Sequence, residues 1–150
     1  MAYVVTLPTV QQVKAEIDAD PAGLGYAAME SAQNWNGIRD ALNLSRVGVA
    51  VDRRFVHVNE LTEALVYSEL IALTDAARDA LLILFAVAAN STLDPLNANI
   101  RGFFTGAFGP ATQTRINLTA LTSRQGSRAE FLWGDGVVVS DTLVEAAARL

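Results

Sequence analysis

The longest apolar run of the chain, Ala80 to Ala89, reads ALLILFAVAA and constrains the fold more than any other segment. Crossing a bilayer takes about 20 apolar residues, so this run is too short to span a membrane. Thr74 stands before it as a suitable N-cap. The segment therefore predicts a buried helix from Thr74 to about Ala89, and we expect no membrane partner.

Shorter segments repeat apolar residues at helical spacing. Val10, Val13 and Ile17 form one stripe, and Trp35 begins a second stripe of the same kind. Prolines, glycines and capping residues interrupt these segments throughout the chain. The pattern predicts a mostly α fold: a single helical domain over residues 1–150, built as a compact bundle of about seven short helices.

Two segments have the composition of strands instead. Residues 2–7, AYVVTL, predict an extended N-terminal arm that carries Tyr3 and Val5. In residues 47–58, the pieces VGVAV and FVHV flank Asp52-Arg53-Arg54, which predicts a short β-hairpin. Either segment could extend the sheet of a neighbouring molecule by strand addition. The candidate interface residues of the hairpin are Val49, Val51, Arg53 and Phe55.

Composition leaves two explanations for the high apolar content. The chain has 150 residues, of which 51% are apolar and 18% charged, and it has no cysteine. Such a chain either buries part of its surface in an assembly or owes its hydropathy to Ala-rich helices. The net charge is −5 and the pI is about 4.7. Because a nucleic-acid binder normally carries a basic face, we expect no nucleic-acid partner.

The motifs that might carry chemistry fail their own requirements. Gly23-x-Gly25-x-x-Ala28 resembles a dinucleotide turn, but a helix precedes it where that site needs a strand. The glycines are better explained as a turn between helices with positive φ. His57 is the only histidine, and the chain has no Gly-x-Ser-x-Gly elbow. We therefore predict no catalytic, cofactor-binding or metal-binding residue, and no enzymatic activity.

Residues 90–125 have a distinctive composition. They contain Asp94 as their one acidic residue and are rich in Asn, Thr, Gln and Gly. Arginines and phenylalanines are interspersed through the segment, and such a composition is typical of the centres of protein interfaces. The candidate interface residues here are Arg101, Phe103, Phe104 and Arg115. A mostly buried helix pair with polar ends would have the same composition.

Four pieces together resemble a known family. They are AEIDADPAGLGYAAM (15–29), LTDAARDALLILF (73–85), FFTGAFGPATQTRINLTAL (103–121) and SRAEFLWGDGVVVSDTLVEAAARL (127–150). Their order and turns resemble a family of small, largely uncharacterised proteins encoded among the virion genes of tailed bacteriophages. Residues 43–59 depart from that pattern because they are more strand-like.

The resemblance implies a location and a class of function. It implies a virion-associated protein, made in the bacterial host cytoplasm and placed near the tail or head-tail junction. Its partners would be other phage structural proteins, with further copies in a homo-oligomer or symmetric ring. The resemblance brings no catalytic residues and no cofactor. An assembly chaperone that is absent from the mature particle is the alternative hypothesis.

Overall fold

The computed structural model describes residues 4–88 and 91–150. Within those ranges the chain forms ten helices and four short strands. The helices are α1 (Val10–Ala19), α2 (Tyr26–Ser31), α3 (Trp35–Asn43), α4 (Val58–Ala64), α5 (Tyr67–Ile71), α6 (Asp75–Val87), α7 (Ala98–Ala107), α8 (Gln113–Ala120), α9 (Arg128–Trp133) and α10 (Asp141–Ala148). The strands are β1 (Ser45–Asp52), β2 (Val56–His57), β3 (Thr92–Leu93) and β4 (Ser123–Ser127).

The mostly α class is confirmed, whereas the expectation of about seven helices is too low. Two of the additional helices, α2 and α5, have six and five residues. A helix this short makes fewer than two turns, so a spacing of 3.6 residues has no room to repeat. Their existence therefore leaves almost no periodic signal in the sequence.

The chain folds into two compact units. Unit 1 consists of the residues up to Val51 together with Gln125–Leu150, and unit 2 is Asp52–Arg124. Unit 2 is thus inserted, along the sequence, between two segments that together make unit 1. The expectation of a single domain over residues 1–150 stays a prediction.

The core of unit 1 is built from the predicted apolar stripes. Val13 and Ile17 of α1 are buried, as is Ile38 of α3. They belong to one apolar cluster with Val144 and Ala147 of α10. Because α1 packs against α10, the first and last helices of the chain share this core.

The core of unit 2 has its own apolar cluster. Phe104 lies in α7, and Phe108 is the C-cap of that helix. Both are buried together with Leu81 of α6 and Leu118 of α8. Strands β2 and β3 pair antiparallel beside it, and buried Val56 lies opposite Leu93. The two phenylalanines therefore serve the core, which was the second interpretation of residues 90–125.

Both strands predicted in residues 47–58 exist, but they do not pair with each other as a hairpin. Strand β1 pairs with β4, and β2 pairs with β3. A tight hairpin turn favours Asn or Gly because its central residues take positive φ. The connection after Asp52 offers Arg53 and Arg54 instead, so each strand takes its partner from later in the chain.

The turn that resembled a dinucleotide site is a connection between α1 and α2. Gly23 and Gly25 have φ of 64° and 80°, as predicted for punctuation. Asp20 ends α1 and accepts hydrogen bonds from the backbone N–H groups of Leu24 (2.7 Å) and Gly25 (2.8 Å). Burial opposes the charge of Asp20, but these N–H donors outweigh it and lower the pKa of the carboxyl below its usual value.

The N-terminal arm is described from Val4 onward. Residues 4–7 have no regular secondary structure and their side chains are exposed. Val5 is the described candidate interface residue of this arm, whereas Tyr3 lies outside the described residues. In the described part of the chain, none of the helices combines the length and the apolar character that a bilayer crossing requires.

Candidate functional site

Helix α6 is apolar on two faces, and unit 2 covers one of them. Leu81 is buried in the core of unit 2. On the opposite side, Leu82, Ile83 and Val87 are 67%, 64% and 81% exposed. The expectation that this helix is buried is therefore wrong for half of its surface. We call Leu82, Ile83 and Val87 the α6 apolar face.

Helical geometry places these three side chains together. At 100° per residue, Leu82, Ile83 and Val87 fall within an arc of about 140° on the last turns of α6. Fully burying a Leu, Ile or Val side chain is worth about 1.5–3 kcal/mol. Because these three side chains remain in water, the hydrophobic free energy of burying them is not gained on folding. Exposed apolar side chains that share one helix face are a candidate contact surface.

Unit 2 also contains an open apolar cleft of about 130 Å³. Its floor includes buried side chains of the unit 2 core. Its apolar lining includes Val56, Leu61, Ile100, Phe104, Leu118 and Leu121. Among the described residues that line the cleft, none is acidic.

Two predicted interface residues supply the positive charge of this cleft. Arg101 of α7 and Arg115 of α8 both line it, as does Phe104. Arg101 is exposed, and Arg115 is half-buried and donates from Nη1 to the carbonyl oxygen of Phe108 at 3.3 Å. Phe103 is half-buried and packs edge-on against Phe104, with ring centroids 5.2 Å apart. The structure thus brings these four predicted residues together.

Hydrogen bonds between α5 and the first residues of α8 fix the position of α8, which carries Arg115. The carboxylate of Glu69 accepts from the backbone N–H groups of Gln113 and Thr114, each at 2.8 Å. The buried hydroxyl of Thr114 accepts from the backbone N–H of Val66 at 2.9 Å. The side-chain and backbone hydrogen bonds from Thr114 hold the pKa of the Glu69 carboxyl below its usual value.

The remaining predicted interface residues lie in or after β1. Val49 is half-buried and Val51 is buried, whereas Phe55 is exposed. Arg53 forms a two-pronged ion pair with Glu60, at 2.8 and 3.0 Å. The hydrogen bonds from Arg53 and from the backbone of His57 lower the pKa of the Glu60 carboxyl. The interface role of this set, as of Tyr3, Val5 and the cleft residues, stays a prediction.

Sequence reasoning missed a buried ion pair in unit 1. Arg128 of α9 donates from Nε and Nη2 to the two oxygens of Glu16 on α1, at 2.8 and 3.0 Å. The buried phenol of Tyr26 lies in the same charged surroundings, and burial raises its pKa. More than one hundred residues separate Glu16 from Arg128, so no local pattern could reveal their contact.

Chemistry-bearing groups are sparse in the described parts of the chain. Across residues 4–88 and 91–150, no cluster of three or more His, Cys, Asp or Glu side chains could hold a metal ion. Scans against protein-family models, curated proteins and solved structures give no match for this chain. The α6 apolar face and the cleft of unit 2 are therefore the features from which a function can be argued.

Proposed function

We propose that this protein acts by binding other proteins, as a structural subunit of an assembly. The observation that carries the proposal is the α6 apolar face, because the described part of the chain leaves these three large apolar side chains exposed. Burying them against a second molecule would release the hydrophobic free energy that folding leaves unused. The exposure of the α6 apolar face also favours the first explanation of the high hydropathy, namely surface that is buried in an assembly.

We further propose that this assembly is a tailed bacteriophage particle. The support is the resemblance carried by residues 15–29, 73–85, 103–121 and 127–150. The protein would be found in the virion, at the tail or head-tail junction, and its partners would be other phage structural proteins and further copies of itself. In this role it would work without a cofactor and without catalysis.

An assembly chaperone is the second candidate function. The same apolar face would serve it, because a chaperone must also bind a partner before that partner is buried in the particle. The two candidate functions differ in whether the finished particle contains the protein. Mass spectrometry of purified virions should detect a structural subunit, and absence of the protein from those virions would favour the chaperone.

The α6 apolar face can be tested by charge substitution. We expect the double variant Ile83→Lys and Val87→Lys to fold normally but to lose incorporation into particles and self-association. At Val87, lysine also suits the last turn of α6, since a positive charge is favourable near the C-terminus of a helix. Sedimentation velocity of the purified protein and mass spectrometry of particles measure the two effects.

A matched control lies in unit 1. Val138 is also an exposed valine, and Val138→Lys should change neither measurement. Circular dichroism and thermal unfolding establish that all variants are folded. If the Ile83→Lys, Val87→Lys variant self-associates and enters particles like the unmodified protein, the proposed contact role of α6 is wrong.

A further inference from the structure

We propose that the cleft of unit 2 binds an acidic peptide segment of a partner protein, which inserts one bulky apolar side chain between flanking carboxylates. The inference rests on the proposed function, since it names the chemistry of one partner. It concerns residues different from the α6 apolar face, so each can fail without the other.

The size of the cleft indicates a single side chain as the occupant. A cavity of about 150 Å³ in a protein core accommodates one benzene molecule, whereas sites for drug-sized ligands measure about 300–1,000 Å³. The cleft measures about 130 Å³ and is lined mainly by aliphatic groups and Phe104. It therefore fits a Leu, Met or Phe side chain, and it is too small for a larger cofactor.

The charge of the cleft indicates what flanks that side chain. Arg101 and Arg115 line the cleft without an acidic residue among its described lining. In the described part of the chain, the side chain of Arg101 makes no hydrogen bond or ion pair, and the side chain of Arg115 makes one hydrogen bond, through Nη1. Guanidinium groups bind carboxylates through paired hydrogen bonds, so both have donors available for an acidic partner.

Polar side chains at the cleft favour a peptide over a free apolar molecule. Thr105 and Thr119 are exposed and line the same cleft. Their hydroxyl groups donate to the carbonyl oxygens of Gly102 and Arg115, and each can still accept a hydrogen bond from a backbone N–H beside an inserted side chain. An apolar centre with a polar and charged rim is the usual arrangement where one anchor residue enters a pocket.

Fluorescence polarisation with defined peptides tests this inference on the full chain. The probe is a fluorescein-labelled peptide, Gly-Asp-Glu-Phe-Glu-Asp-Gly. It should bind more tightly than a peptide with Ala in place of Phe, and more tightly than Gly-Asn-Gln-Phe-Gln-Asn-Gly, by about tenfold in each case. Amide chemical shifts in NMR spectra should change around Arg101, Thr105 and Arg115. Affinity should fall as salt rises, because ion pairs contribute.

Substitutions then assign the binding to the cleft. The double variant Arg101→Gln and Arg115→Gln should weaken binding of the acidic peptide about tenfold. Thr105→Phe should also weaken it by filling the cleft. Arg78→Gln is the matched control, since Arg78 lies in unit 2 outside the lining and pairs with Asp75; it should bind like the unmodified protein.

Several results would overturn the inference while leaving the role of α6 intact. These are equal affinity for the acidic and neutral peptides, shift changes confined to the α6 apolar face, and unchanged binding in the double Arg variant. Binding of decanoate without binding of the peptide would likewise overturn it, because the occupant would then be a free fatty acid. Normal self-association in the double Arg variant would show that the α6 contact is separate.

Discussion

At the scale of single residues, the ion pair between Glu16 and Arg128 is a largely buried charged contact of unit 1. Glu16 is 6% exposed, and both of its oxygens accept from Arg128. The guanidinium also lies over the ring of Phe131, 5.4 Å from its centroid. Hydrogen bonding to Glu16 raises the pKa of Arg128, so the guanidinium stays charged at any ordinary pH.

Removing one member of this pair should destabilise unit 1 strongly. Glu16→Gln leaves a largely buried guanidinium without its counter-charge, and we expect a loss of about 3 kcal/mol in the free energy of unfolding. Urea unfolding followed by circular dichroism measures it.

The double variant Glu16→Met and Arg128→Met is the control for charge burial. It removes both charges and keeps apolar volume, so it should recover most of the lost stability. If Glu16→Gln unfolds at the same urea concentration as the unmodified protein, the ion pair contributes nothing to unit 1.

Some of these residue contacts could be predicted from the sequence, and others could not. Val13 and Ile17 could be predicted as core residues because their spacing is local. The contact of Glu16 with Arg128 could not, since it depends on how α1 and α9 pack. Arg101, Phe104 and Arg115 could be predicted as a group from the low charge density around them. The second interpretation of residues 90–125, a mostly buried helix pair, also allowed for Phe104 as a core residue.

At the scale of elements, glycines at different backbone conformations should respond to the same substitution in opposite directions. Gly25 precedes α2 with φ of 80°, and a Cβ there would meet no neighbouring atom within 4 Å. Gly25→Ala therefore tests the backbone alone and should lower the free energy of unfolding by about 1–2 kcal/mol.

Gly102 is the matched control within a helix. It lies inside α7, and a Cβ would again meet open space. Gly102→Ala should raise the free energy of unfolding by about 0.5–1 kcal/mol, because alanine loses less conformational freedom in a helix. Thermal unfolding of the two variants compares them directly. A stabilised Gly25→Ala variant would contradict the positive-φ role of that turn.

The elements themselves divide into those with local signals and those without. Helices α1 and α3 could be predicted because apolar side chains recur at helical spacing in each. The partner of β1 could not, because β4 reads SRQGS and shows none of the apolar alternation of a strand. For α6, the sequence indicated an apolar helix, but periodicity does not tell whether a second face is covered by the same chain or by another.

At the scale of the whole molecule, both units depend on carboxylates whose pKa is lowered on folding. Asp20 belongs to unit 1, and Glu60 and Glu69 belong to unit 2. A carboxyl whose pKa is lower in the folded than in the unfolded chain stabilises the folded state above its unfolded pKa. That stabilisation is lost as the pH falls below the ordinary values of 3.8 for Asp and 4.5 for Glu.

Glu69→Gln isolates one of these carboxylates. The variant should unfold at a lower urea concentration than the unmodified protein at pH 6–7, because Gln113 and Thr114 lose a charged acceptor. The difference should shrink as the pH falls from the ordinary Glu value of 4.5 through the lowered pKa of folded Glu69, because the carboxyl is then protonated in both the folded and the unfolded chain. Urea midpoints measured from pH 7 to pH 3 follow this trend. A difference that grows in acid would show that Glu69 does not act through its charge.

The inserted position of unit 2 has a consequence for synthesis on the ribosome. Val13 and Ile17 are translated before unit 2, yet Val144 and Ala147, which share their core, are translated after it. At about 5–20 residues per second, Val13 and Ile17 wait at least several seconds for these partners. Unit 2 is already complete in sequence by then. During synthesis, the core of unit 1 therefore stays incomplete until α10 leaves the exit tunnel.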